Sequence, residues 1–138
     1  MNRMPFVCLI ILLACAPVAH AQKPVQNARS VFNEIQQGIA TGTISSFSHH
    51  FHTQVHVTLR GGESGLFSSN QAYYLLLNYF RIRKTAGFTF STYGDSGNSP
   101  YATGGVVFTA HGTRESAQVY VALSDIGGRW VITHINIY

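Results

Sequence analysis

The stretch Ile35–Val57, IQQGIATGTISSFSHHFHTQVHV, changes its apolar period part-way along. Upstream, Ala28, Phe32, Ile35 and Ile39 recur at spacings of three and four, together with Val25, which places them on one face of a helix. Pro24 suits its first turn and Gly42 its end. Ile44, Phe47 and Phe51 continue the helical spacing, so a short second helix is predicted, capped by Thr43 or Ser45. From Val55 the period becomes two. Val55, Val57 and Leu59 alternate with His56, Thr58 and Arg60, the pattern of a half-buried strand.

Downstream, Gly61 to Gly65 reads as a turn and Leu66-Phe67 as a brief return strand. Ser68 and Gln71 form a capping-box pair that opens a third helix. Tyr73, Tyr74, Leu75, Leu76, Leu77, Tyr79, Phe80 and Ile82 wrap most of its circumference, which predicts burial on more than one side. Arg81, Arg83 and Lys84 close it, where positive charge favours the helix dipole. Four strands follow. Phe88, Phe90 and Thr92 alternate with polar neighbours, and Gly94 to Pro100 reads as a polar loop. Strands over 103–111, 116–124 and 129–138 are joined by short turns, which predicts an antiparallel meander.

Composition narrows the class. Of 138 residues 10% are charged and 46% hydrophobic, with 13 Gly, 4 Pro, 2 Cys and a formal charge of +4. These figures exclude a disordered charged tail, a collagen-like repeat and a disulfide framework. Residues 1–21 read as a signal peptide: Arg3, an apolar run from Phe6 to Ala14, then Ala19-His20-Ala21 for cleavage before Gln22. Leu12-Leu13-Ala14-Cys15 offers an alternative, a lipoprotein anchored at Cys15. Both cysteines, Cys8 and Cys15, lie in this leader. An exported protein, periplasmic or secreted, with one domain over 22–138 and no transmembrane segment in the mature chain is expected.

The order of helix, short helix, strand, turn, helix and four strands resembles the nuclear transport factor 2-like (cystatin-like) superfamily. Ile35–Val57 is similar to its first helix, turn, short aromatic helix and first strand, and GRWVITHINIY, Gly128–Tyr138, to its last strand. LRGGESGLFSSNQAYYLLLNYFRIRK, Leu59–Lys84, resembles a narrower set of exported bacterial proteins, domain of unknown function family 4783. The resemblance implies an α+β fold in which three N-terminal helices pack on a strongly curved antiparallel sheet. It also implies a conical pocket between them and an outer sheet face that makes dimers. It implies no single activity, since the superfamily includes isomerases, dehydratases, binding modules and assembly domains.

Ketosteroid-isomerase-like members of that fold keep a carboxylate base on the first strand. The matching position falls near Leu59, beside Thr58 and Arg60, and none of these is a carboxylate. Glu34 sits off the apolar face of the first helix, and Glu63, Asp95, Glu115 and Asp125 fall in predicted turns, so carboxylate acid–base catalysis is disfavoured. His134 is the alternative base, on a strand face shared with Trp130, Ile132, Asn136 and Tyr138; an outward or hydrogen-bonded histidine is the plainer role. His49, His50, His52 and His56 crowd one stretch, with His49 and His52 on one helical face. No Cys, Asp or Glu stands nearby in sequence to complete a metal shell, so a solvated helix end is expected, with no metal and no cofactor. The Gly61–Gly65 turn lacks the Gly-Lys-Ser/Thr of a phosphate loop, and no basic stripe suits nucleic acid.

The residues expected to line a cavity are Tyr73, Tyr74, Phe80, Tyr93, Phe108 and Tyr120, with His134 and Asn136; core packing is the plainer role for most. On the last strand Trp130 and Ile132 point one way and Val131, Ile135 and Ile137 the other, so both sheet faces read as apolar. A homodimer through the outer face is expected to cover the second. The expected role is a non-enzymatic module that binds a small hydrophobic ligand or a protein partner. The alternatives are a pocket enzyme using His134 or Tyr74, and a structural dimerisation module.

Overall fold

A computed structural model describes residues 27–96 and 99–138. The expected leader, its cleavage site, Cys15, Pro24 and Val25 lie outside the described residues.

Helix α1 spans Ala28–Thr41 and starts at Asn27, whose side chain accepts from the Arg29 N–H. Val31, Phe32, Ile35 and Ile39 form its buried face. The helix ends in a Schellman arrangement: the Thr43 N–H bonds the Gly38 carbonyl and the Gly42 N–H the Ile39 carbonyl, with Gly42 at φ 70°.

The predicted second helix is absent. Two single 3-10 turns, Ile44–Ser46 and Ser48–His50, stand in its place. Thr43, Ser45, Ser46 and Ser48 are poor helix formers whose hydroxyls compete for backbone partners, so no α-helix propagates. The buried residues are Ile44, Phe47 and His50, a spacing of three that matches the 3-10 period. Phe51 instead opens a strand.

Strand β1 spans Phe51–Leu59, β2 Ser64–Ser68, β3 Lys84–Ser96, β4 Ser99–Ala110, β5 Thr113–Ile126 and β6 Arg129–Ile137. Helix α2 spans Ser69–Ile82. The six strands form one curved sheet in the order β2-β1-β6-β5-β4-β3. The expected meander is present in β3 to β6, but the sheet is mixed, because β1 and β6 run parallel. Helix α2 supplies the reason: it separates the β1–β2 hairpin from β3, so β1 need not pair with β3 and docks on β6 instead. Bulges in β3, β6 and the β1–β6 pair bend the sheet.

The polar loop expected at 94–100 is largely strand. Gly94 lies in β3 and Pro100 in β4, with Asp95 paired to Pro100 and Ser96 to Ser99. A side chain on Gly94 would strike the Tyr101 ring, so the aromatic ring covers the glycine across the ladder.

Both helices lie on one face of the sheet, α1 over β3 and α2 over β1 and β2. Phe32 meets Phe90 and Tyr93 edge-on at 5.7 and 5.8 Å. At the β3 bulge the Phe90 N–H donates to Gln36 Oε1 at 2.8 Å. Helix α2 carries the expected capping box, Ser68 with Gln71. It buries Ala72, Leu76, Tyr79 and Phe80 on one side only. Tyr74 and Ile82 are half exposed, so the expected all-round burial is not met in the single chain.

Candidate functional site

The residues expected to share a cavity are distributed over three places. Phe80 and Phe108 are core, 5.8 Å apart and both packed on Tyr79. They fill the space between α2 and the sheet. Tyr93 closes the α1 side of the core, under the Arg29 guanidinium at 3.4 Å. Tyr74 lines an open groove of about 290 Å³ with Glu63, Phe67, Asn70, Leu75 and others, while Tyr73 lines another with Ser48, Ser69 and Asn70.

Tyr120, His134 and Asn136 are elsewhere. They lie on the sheet face turned away from the helices, because their strand neighbours Val119, Val121, Ile135 and Ile137 are the core residues. His134 and Tyr74, the two acid–base candidates, are therefore on opposite sides of the sheet. Leu59, at the position of the family carboxylate, is buried, and Thr58 is exposed on the outer face.

A bulge explains why the last strand was misread. Ala122 pairs with His134 and Leu123 with Ile132, which leaves Thr133 without a partner. The extra residue reverses the alternation, so Trp130 and Ile132 join Ile135 and Ile137 against the core. Val131 stays on the outer face beside Ser124, buried at 6% exposure. The second face is consequently less apolar than the alternation suggested.

The outer face is built from two rows that cross the sheet. In one, Tyr101, Ala122, His134, His56 and Leu66 stand side by side; in the other, Thr103, Tyr120, Asn136, Thr58 and Ser64. Tyr101 and Tyr120 stack at 5.6 Å, and His56 and His134 at 4.8 Å with their planes 13° apart. These ten positions contain no Lys, Arg, Asp or Glu. His134 Nδ1 lies 3.0 Å from the Thr133 hydroxyl. Burial, and then the neighbouring His56, hold the His134 pKa below the usual 6.5.

A polar corner closes the other end of the sheet. The Tyr79 hydroxyl donates to the Arg60 carbonyl at 3.0 Å, the Arg83 guanidinium lies 4.1 Å above the Tyr79 ring, and Arg60 Nη1 donates to the Ser116 carbonyl. Burial raises the Tyr79 pKa above 10.0, against the pull of Arg83 and Arg60.

The histidine stretch departs from expectation. His52 is in β1 and shares no helical face with His49. The missing carboxylate is present: Glu34, from the outer side of α1, comes within 2.6 Å of His50 Nε2 and 3.5 Å of His49 Nε2 through its Oε2. One ligand atom from each of the three residues lies within 4.8 Å of the others. Sequence distance concealed this cluster, since Glu34 and His50 are 16 positions apart. The period of three over Ile44, Phe47 and His50 was the available signal, because it turns His50 inward toward α1.

Two helices on one face of a curved six-stranded sheet define the nuclear transport factor 2-like class of α+β folds. Solved structures agree. A ketosteroid isomerase-like-fold protein from Catenulispora acidiphila, crystallised with trimethylamine, superposes with a TM-score of 0.62 at 10% identity, over 81% of this chain and 86% of that one. A cystatin-like-fold protein from Nostoc punctiforme gives 0.54 at 12% identity, over 79% and 85%. The chain belongs to the family described as Domain of unknown function (DUF4783), whose profile matches residues 32–138. A DUF4783 protein from Bacteroides ovatus is similar at a TM-score of 0.67 and 18% identity, over 75% of this chain and 90% of that one. No curated protein matches the chain.

Proposed function

We propose that this chain is a non-enzymatic interaction module that binds a protein partner, first a second copy of itself, through the outer face of its sheet. One observation carries the reading: the two rows that hold Tyr101, Tyr120, His134 and Asn136 lack formal charge across five adjacent strands and present stacked aromatic rings. Depletion of charge and enrichment in Tyr are the compositional marks of interface centres. A neutral face also meets its own copy without repulsion. Phe108, buried against Tyr79 and Phe80, occupies the space beneath α2 and supports a surface role over an enclosed ligand or a buried catalytic base. Activity outside the cytoplasm, after loss of residues 1–21, belongs to the same reading.

Light scattering on the purified chain tests it. Twice the chain mass is expected at tens of micromolar, returning to single mass in Tyr120→Arg, where a charge enters the centre of the face. A wild-type chain that stays monomeric up to about 100 µM would overturn the self-association, which at that concentration corresponds to less than about 5.5 kcal/mol of binding.

The hydrophobic-ligand reading keeps the support of two grooves, one lined by Phe67, Tyr74 and Leu75 and one of about 380 Å³ lined by Leu77, Phe80 and Thr85. Fluorescence titration with an apolar dye, compared between wild type and Tyr74→Ala, separates it from the sheet-face reading.

A further inference from the structure

We propose that Glu34, His49 and His50 form a binding site for a late first-row divalent metal ion of the Zn²⁺ type. Three side chains from two separate elements converge on one point. Glu34 is fixed by the second turn of α1. His49 and His50 come from the 3-10 turn that leads into β1, with ring centroids 4.0 Å apart and planes tilted by 40°. The His50 backbone N–H donates to the Phe47 carbonyl at 3.0 Å, and Phe47 is itself locked in the core, so the backbone that carries the imidazole is fixed.

The distances suit an ion. Ligands about 2.0 Å from a tetrahedral zinc stand about 3.3 Å from one another. The two separations from Glu34 Oε2, 2.6 and 3.5 Å, bracket that edge. All three ligand atoms lie within 4.8 Å of one another, so closing on an ion brings the two imidazoles together. His49 packs its ring on that of His50 and turns toward the same Glu34 oxygen, although 61% of the side chain is exposed.

The donor set selects the metal. Two imidazoles and one carboxylate oxygen favour zinc, copper or nickel over magnesium and calcium, which take oxygen. Three protein ligands leave a coordination position for water on the solvent side, where Glu34 and His49 are exposed. Without metal, one hydrogen is shared between His50 Nε2 and Glu34 Oε2 at 2.6 Å. The ion takes the position of that hydrogen.

The test uses the untagged chain, stripped with a chelator and alkylated at Cys8 and Cys15 so that no thiol contributes. Calorimetry with Zn²⁺ is expected to show one ion per chain, and Co²⁺ to develop visible absorption. His49→Ala and Glu34→Gln are expected to weaken Zn²⁺ binding about 10-fold or more, with the folded circular-dichroism spectrum retained. His49 is mostly exposed, so its variant tests the site without disturbing the core. No heat from the wild type overturns the site. Wild-type affinity in both variants assigns the ion to the remaining histidines and overturns it equally.

Discussion

Gly38 sits where α1 must be thin. A side chain there would run into the Phe47 ring and approach the Thr43 carbonyl. Phe47 has no room to retreat, being 1% exposed. Gly38→Ala gains about 1 kcal/mol of helix propensity and loses about 1–3 kcal/mol to overpacking, so the variant is expected to unfold at lower denaturant than wild type. A raised urea midpoint would show that Phe47 yields. His134 gives a second residue-scale expectation. Its pKa is lowered on folding, so the folded chain resists its protonation. The unfolded chain binds this proton first as pH falls through 6.5, and the stability contributed by the neutral ring is present above 6.5 and lost below it. Melting temperature is expected to fall between about pH 7.5 and pH 5.5, and to fall less in His134→Phe. Identical pH profiles for the two proteins would remove His134 from the account. At this scale the sequence was legible where a residue's neighbours are local, as at Gly42. It was illegible at Thr133, where one unpaired residue reversed the face of Trp130 and Ile132 without any mark in composition.

Among the elements, α2 was the most legible. Ser68 and Gln71 satisfy each other's backbone N–H groups, the Ser68 N–H donating to Gln71 Oε1 at 3.1 Å and the Gln71 N–H to Ser68 Oγ at 3.2 Å. Ser68→Ala is expected to cost about 1 kcal/mol, seen as a melting temperature lower by about 4 °C. An unchanged melt would mean that packing of Leu76, Tyr79 and Phe80 alone sets the helix start. The stretch 43–50 was the least legible. Spacings of three and four are nearly alike over two turns, and Phe51 followed closely enough to imitate a helical position. Reading it as a helix put His49 and His52 together and hid His50 behind them. Glu34 was then judged alone, as a solvated acid, when the turn brings two imidazoles to it.

For the whole molecule, hairpin spacing made the β3–β6 meander legible, because each turn is short and local. The β5–β6 turn shows how: Gly127 and Gly128 take φ 60° and 80°, and the Asp125 carboxylate accepts from the Gly128 N–H at 2.9 Å. The placement of β1 was not legible in the same way, since no turn joins it to β6. Only the shared burial of Val55, Val57, Leu59, Ile135 and Ile137 brings the two strands together. That parallel seam has a consequence in time. Strands β2 and β1 form one local hairpin and β3 to β5 another local unit, and β6 is the sole bridge between them in the strand order. Synthesis reaches β6 last among the described elements. Until it arrives, the growing chain holds two half-sheets with the Val57 and Val121 edges open to any strand that passes. The sheet cannot close until β6 is in place, and a chain cut before Arg129 is expected to aggregate where the full chain stays in solution, as sedimentation would show.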